Sequence, residues 1–71
     1  MKRFLIVLER TKGNLSAYSP DMPGCVATGA TREETTARMQ EALDMHIKGL
    51  REDGFPIPEP SAAAVYVEVE A

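Results

Sequence analysis

The sequence predicts an α+β fold: a small, mostly antiparallel sheet of three to four strands with one long helix packed on it, in the order β-β-β-α-β. Three observations carry this. Short apolar or alternating runs near the N-terminus are separated by glycine- and proline-bearing turns. A single capped stretch of about twenty residues has helical periodicity. A final segment, Ala64 to Glu70, alternates strictly between valine and polar or aromatic residues.

The first predicted strand runs from Arg3 to Glu9. Its core, Phe4-Leu5-Ile6-Val7-Leu8, is a continuous apolar run, the pattern of a strand covered on both faces. The helix can cover one face; the other needs a second cover. Thr11-Lys12-Gly13-Asn14 reads as a hairpin turn. Leu15 to Ser19 then alternates, Leu15 and Ala17 against Ser16 and Tyr18, and Pro20 ends it. Met22-Pro23-Gly24-Cys25 suits a type II turn, with proline presetting φ and glycine supplying φ > 0. Cys25 to Thr28 is a short third strand, released by Gly29.

Thr31-Arg32-Glu33-Glu34 is a capping box. The Thr31 hydroxyl accepts the Glu34 amide, and the Glu34 carboxylate reaches back to the Thr31 amide. The helix it opens is expected to run to about Asp53. Thr35, Met39, Ala42, Leu43, His46, Ile47 and Leu50 fall on one stripe. Glu34–Arg38 and Asp44–Lys48 are spaced i,i+4 with the acid first, the better order for an ion pair. Gly49 costs about 1 kcal/mol relative to alanine, which close packing would explain. Gly54 is placed to end the helix, and Pro56, Pro58 and Pro60 forbid continuation. In the last predicted strand Val65, Val67 and Val69 face one way and Tyr66, Glu68 and Glu70 the other. That fits an edge strand.

Seventy-one residues make one domain, 1–71, with no internal repeat, linker or low-complexity tract. A chain this short buries roughly 60% of the surface its unfolded form exposes, so a partner surface would help it. Eleven acidic against eight basic residues give a net charge of -3. This disfavours a nucleic-acid binder and fits a chain that meets a basic partner. A single cysteine cannot form an internal disulfide, and a reducing, cytoplasmic setting is the simplest reading. The five-residue apolar run near the N-terminus is shorter than the ~7–15 residues of a signal peptide. No stretch approaches the ~20 apolar residues of a membrane span.

The chemistry-bearing side chains are few. A catalytic cysteine needs a base to form thiolate, and the only histidine, His46, lies on the helix's apolar stripe. Cys25 and His46 can in principle meet. The simpler reading makes Cys25 a packing thiol and His46 a histidine at the edge of the core. Glu9, Asp21, Asp53, Glu68 and Glu70 are the acids available to a metal, but nothing in their spacing makes them converge. Gly24 and Gly29 are not a phosphate loop, since neither a P-loop lysine nor a G-x-G-x-x-G follows. No catalytic, cofactor-binding or metal-binding residue is therefore assigned, and no cofactor is expected.

The succession of strand, hairpin, "PDMPGCVATGATREET", long helix, "EDGFPIPEP" and final strand resembles the HicB-type antitoxin domain over nearly the whole chain. Pro20-Asp21, Pro23-Gly24-Cys25, Gly29, Thr31, Glu34, Asp53-Gly54 and the Pro56 to Pro60 segment carry the likeness by their order and spacing. The resemblance implies a degenerate ribonuclease-H-like fold without that enzyme's catalytic acids. It implies a non-enzymatic role in a prokaryotic toxin–antitoxin pair, where the antitoxin binds a small basic mRNA-cleaving toxin and covers its active-site histidine. Many members carry a C-terminal ribbon-helix-helix or helix-turn-helix domain. This sequence reaches Ala71 directly after the last predicted strand, so no DNA binding is expected from it alone. Family members commonly self-associate, and the two-sided first strand independently asks for a second cover. A homodimer or higher homo-oligomer is the expected source. The alternative is a stand-alone oligomeric interaction or adaptor domain without a toxin. An enzyme using Cys25 and His46, or carboxylates with a metal, ranks behind both.

Overall fold

The computed structural model describes all residues from 1 to 71 and has three antiparallel strands and one helix. Strand β1 is Val7–Thr11, β2 is Asn14–Tyr18, β3 is Val26–Gly29, and helix α1 is Arg32–Glu52. The sheet order is β1-β2-β3, so β1 and β3 are both edges. The α+β class and the strand-before-helix order match expectation.

β1 starts at Val7, four residues later than the predicted start at Arg3. Its last partner is Tyr18, opposite Val7. Beyond Tyr18 the chain leaves the sheet through two consecutive turns, Met22 N–H to Ser19 C=O (3.2 Å) and Cys25 N–H to Met22 C=O (3.3 Å). Phe4 to Ile6 are thus left without a neighbouring strand, although Phe4, Ile6 and Leu8 still pack on the core. At the other end the hairpin tightens to the two residues Lys12 and Gly13, with φ +75° at Gly13. The Pro23-Gly24 turn forms as predicted, with φ +87° at Gly24.

The core is small: Ala17, Met22, Cys25, Met39 and Leu43 are its buried apolar residues. Thr35 and Met39 are fully buried on the helix stripe. Gly29 does more than release the strand. It lies within β3, and a Cβ there would stand 2.5 Å from Thr35 Oγ1. Only glycine lets the first helical turn approach this strand so closely. Gly49, by contrast, has open space where a Cβ would be, so close packing does not account for it.

Both helix ends are satisfied locally. Thr31 is the N-cap, its hydroxyl accepting the Glu34 amide at 3.1 Å. The return bond shifts by one residue: Glu34 Oε2 accepts from the Ala30 amide (3.4 Å) rather than from Thr31. Glu34 also pairs with Arg38 at 2.6 Å, whose guanidinium donates in addition to the Thr28 carbonyl. Asp44 does not pair with Lys48; it accepts from the Gln40 amide instead. At the C-terminus Phe55 N–H reaches Leu50 C=O (2.9 Å) and Gly54 N–H reaches Arg51 C=O (3.2 Å). With φ +73° at Gly54, this is a Schellman motif.

The closing strand is the largest departure. Residues 55–71 contain no strand or helix, and Ala64 to Glu70 pair with nothing. The sheet therefore has three strands, and the final segment projects. The dimensions are 48 × 26 × 19 Å, whereas a helix of 21 residues accounts for only about 32 Å. The radius of gyration, 13.9 Å, exceeds the roughly 11 Å of a compact chain this long.

Candidate interaction surfaces

The corner at Pro20–Cys25 turns the chain between β2 and β3. Cys25 is buried, and its thiol donates to the Ala42 carbonyl at 3.4 Å. No hydrogen bond joins it to His46, which is half-buried farther along the helix. Burial pushes the thiol's pKa up, the opposite of what a nucleophilic cysteine requires.

The acids do not converge either. Glu9 is exposed on the edge strand, Asp53 is the helix C-cap, and Glu68 and Glu70 lie on the projecting segment. No group of three His, Cys, Asp or Glu side chains is placed to hold a metal ion.

Asp21 has a role that the sequence reading missed. Its carboxylate accepts from the Ala62 amide (2.9 Å), the Ser61 amide (3.0 Å) and the Ser61 hydroxyl (3.1 Å). The Ala62 bond is the main cause of its lowered pKa, opposed by partial desolvation and reinforced by Ser61. This clamp fastens the chain after the helix to the β2–β3 corner, forty residues away in sequence. A Pro-Asp pair in a turn looks like ordinary turn chemistry, so no local signal exposes it. A surface ion pair, Lys2–Glu59 at 2.7 Å, lies along the same route.

Three uncovered apolar features remain. The first is the sheet face away from the helix. Val7, Tyr18 and Val26 are directly opposite one another across the three strands, and Tyr18 and Val26 are 41% and 68% exposed. The second is a groove of about 820 Å³ between the N-terminal segment and the C-terminal half of α1. Phe4, Ile6, Leu43, Ile47 and Ile57 line it, with Lys2, Arg3, Lys48 and Arg51 among its polar residues. It exists because α1 packs chiefly over β3 and β2 and leaves β1 at the margin. The third is the projecting segment, where Val65, Val67 and Val69 are 85%, 78% and 77% exposed. Such surfaces mark sites of protein association. No helix is long and apolar enough to cross a membrane.

Comparisons with known proteins agree with an association role. The model of a family described as HicB-like antitoxin of bacterial toxin–antitoxin systems matches residues 4–71. A 14.9 kDa protein from the rep–hol intergenic region of Haemophilus phage HP1 is 31% identical over 62 residues. That alignment covers 87% of this chain but 47% of the phage protein, so the chain spans about half the length of that relative. The UPF0150 protein Ta0767 of Thermoplasma acidophilum is 28% identical over 67 residues, covering 94% of this chain and 97% of that protein. Among solved structures, a chain of a complex described as "HicA3 and HicB3 toxin-antitoxin complex" superposes with a TM-score of 0.67 at 31% identity. The match covers 83% of this chain and 72% of that one.

Proposed function

Since the chain belongs to the HicB-like antitoxins of bacterial toxin–antitoxin systems, we propose that it is a non-catalytic inhibitor which binds a small basic mRNA-cleaving toxin in the cytoplasm. The observation that carries this reading is the family match over residues 4–71. The structural likeness to a chain from a toxin–antitoxin complex supports it. The local chemistry agrees: the one thiol is held protonated against a backbone carbonyl, and the acids serve as caps, clamps and surface charges. The net charge of -3 suits a basic partner, because opposite fields speed association. The chain also self-associates in this proposal, which supplies cover for apolar surface that one copy leaves open.

Pull-down of the tagged protein from its native lysate, followed by mass spectrometry, tests the reading. The expected result is a small basic protein at equal stoichiometry whose RNase activity this chain silences. A co-purified partner whose RNase activity persists in the complex would refute inhibition. A second reading, a stand-alone oligomeric adaptor domain, draws support from the Thermoplasma relative, almost all of whose length aligns with this chain. Recovery of the protein with copies of itself alone favours it.

A further inference from the structure

Two stretches of this chain pair with no other backbone. Neither residues 1–6 nor residues 56–71 make a backbone–backbone hydrogen bond. Each also shows the alternation of a strand that packs on one face. Phe4, Ile6 and Leu8 turn to the core, with Arg3, Leu5 and Val7 at the intervening positions. Val65, Val67 and Val69 alternate with Tyr66, Glu68 and Glu70. In one copy the two stretches come near each other at Ala62, which borders Arg3 to Ile6, but do not pair. The Asp21 clamp fixes Ser61 and Ala62 there, and the tail beyond is exposed and projects.

We propose that residues 63–71 of one copy add as a fourth strand to the outer edge of β1 and its N-terminal extension in a second copy, and that the exchange is reciprocal. The valines then lie over the groove, beside Phe4 and Ile6 and beneath Leu43 and Ile47. This is where a fourth strand is missing under the helix, since α1 already covers β2 and β3. On the opposite face, Tyr66 meets the side of Leu5 and Val7, and Glu68 or Glu70 meets Arg3. A second copy is the occupant because donor and acceptor are present on the same chain and are left unjoined within it. Reciprocal exchange is self-complementary and closes at two copies. Only eight of 71 residues are buried in a single copy, and the family model runs through residue 71, so the tail belongs to the domain. The exchange deepens the self-association proposed above and is independent of the toxin.

Light scattering and disulfide trapping on the full chain test it. The native chain should have the mass of a dimer. Val67→Asp should give a monomer that keeps the helical far-UV circular dichroism bands, because Val67 is 78% exposed in one copy and a charge costs little there. Val67→Ser, milder, should shift the dimer to higher dissociation constant. In the second arm, chains with Tyr66→Cys are co-expressed with differently tagged chains carrying Arg3→Cys, Leu5→Cys or Val7→Cys. Oxidation should link unlike tags in at least one combination. A native monomer at all concentrations sinks both self-association and the exchange. A dimer indifferent to both Val67 variants, or no link between unlike tags in any of the three combinations, overturns the exchange and leaves self-association by another surface.

Discussion

Gly29 and Asp21 illustrate how much single residues decide in a chain with so few buried side chains. Gly29→Ala places a methyl against Thr35, and overpacking of that kind costs about 1–3 kcal/mol; urea denaturation should show it as a lower midpoint. Met39 is fully buried, so Met39→Ala should cost about 2–5 kcal/mol. That is a large share of the few kcal/mol available to a domain this small. Asp21 sets an acid-side dependence. Its folded pKa lies below the usual 3.8, so its contribution is fully present above that value and is lost as pH falls through the lower folded value. In NMR titrations the Ser61 and Ala62 amides should therefore shift with a midpoint under 3.8, and Asp21→Asn should abolish the titration. Cys25 works with the opposite sign. Its folded pKa is raised above 9.0, so the stability it adds is present at neutral pH and fades as pH rises through the folded value.

The helix is the element that owes most to short-range chemistry. A threonine N-cap, an acidic first turn and a Schellman glycine close it at both ends. Thr31→Ala removes the acceptor for the Glu34 amide and should cost about 1 kcal/mol. Gly49→Ala should do the reverse. The position is helical with open space for a Cβ, so alanine should add up to about 1 kcal/mol, read as a raised midpoint in thermal melts of the monomeric Val67→Asp background. The three strands depend on longer reach. β2 is central because it alone is bonded on both sides, and its Ala17 is buried where its Tyr18 is not.

At the scale of the whole molecule, one copy is an incomplete fold. A helix lies across two strands of three, a groove stands open beside the third, and a valine-bearing tail has no place in its own chain. A molecule of this kind gains stability from whatever covers those surfaces, and by mass action its melting temperature should rise with protein concentration. Melts over a hundredfold dilution series check this: a constant midpoint would mean that the folded chain gains nothing from a second copy. Under the proposed exchange, the dimer would offer a toxin a paired surface, which joins the proposed inhibitory role to the proposed assembly.

The amino-acid sequence by itself determined the parts whose causes lie within a few residues. The Met22–Cys25 turn, the Thr31 cap, the helix stripe of Thr35, Met39 and Leu43, and the Gly54 terminus were all legible there, because φ preferences, side-chain capping and 3.6-residue periodicity act locally. Only the tertiary structure decided that β1 begins at Val7, that Gly29 serves the helix contact, that Asp21 holds Ser61 and Ala62, and that Val65 to Val69 do not fold back onto the chain's own sheet. Each of these depends on where a distant segment ends up. Alternating valines state that one face seeks apolar cover; they carry no information on which segment, or which copy, supplies it.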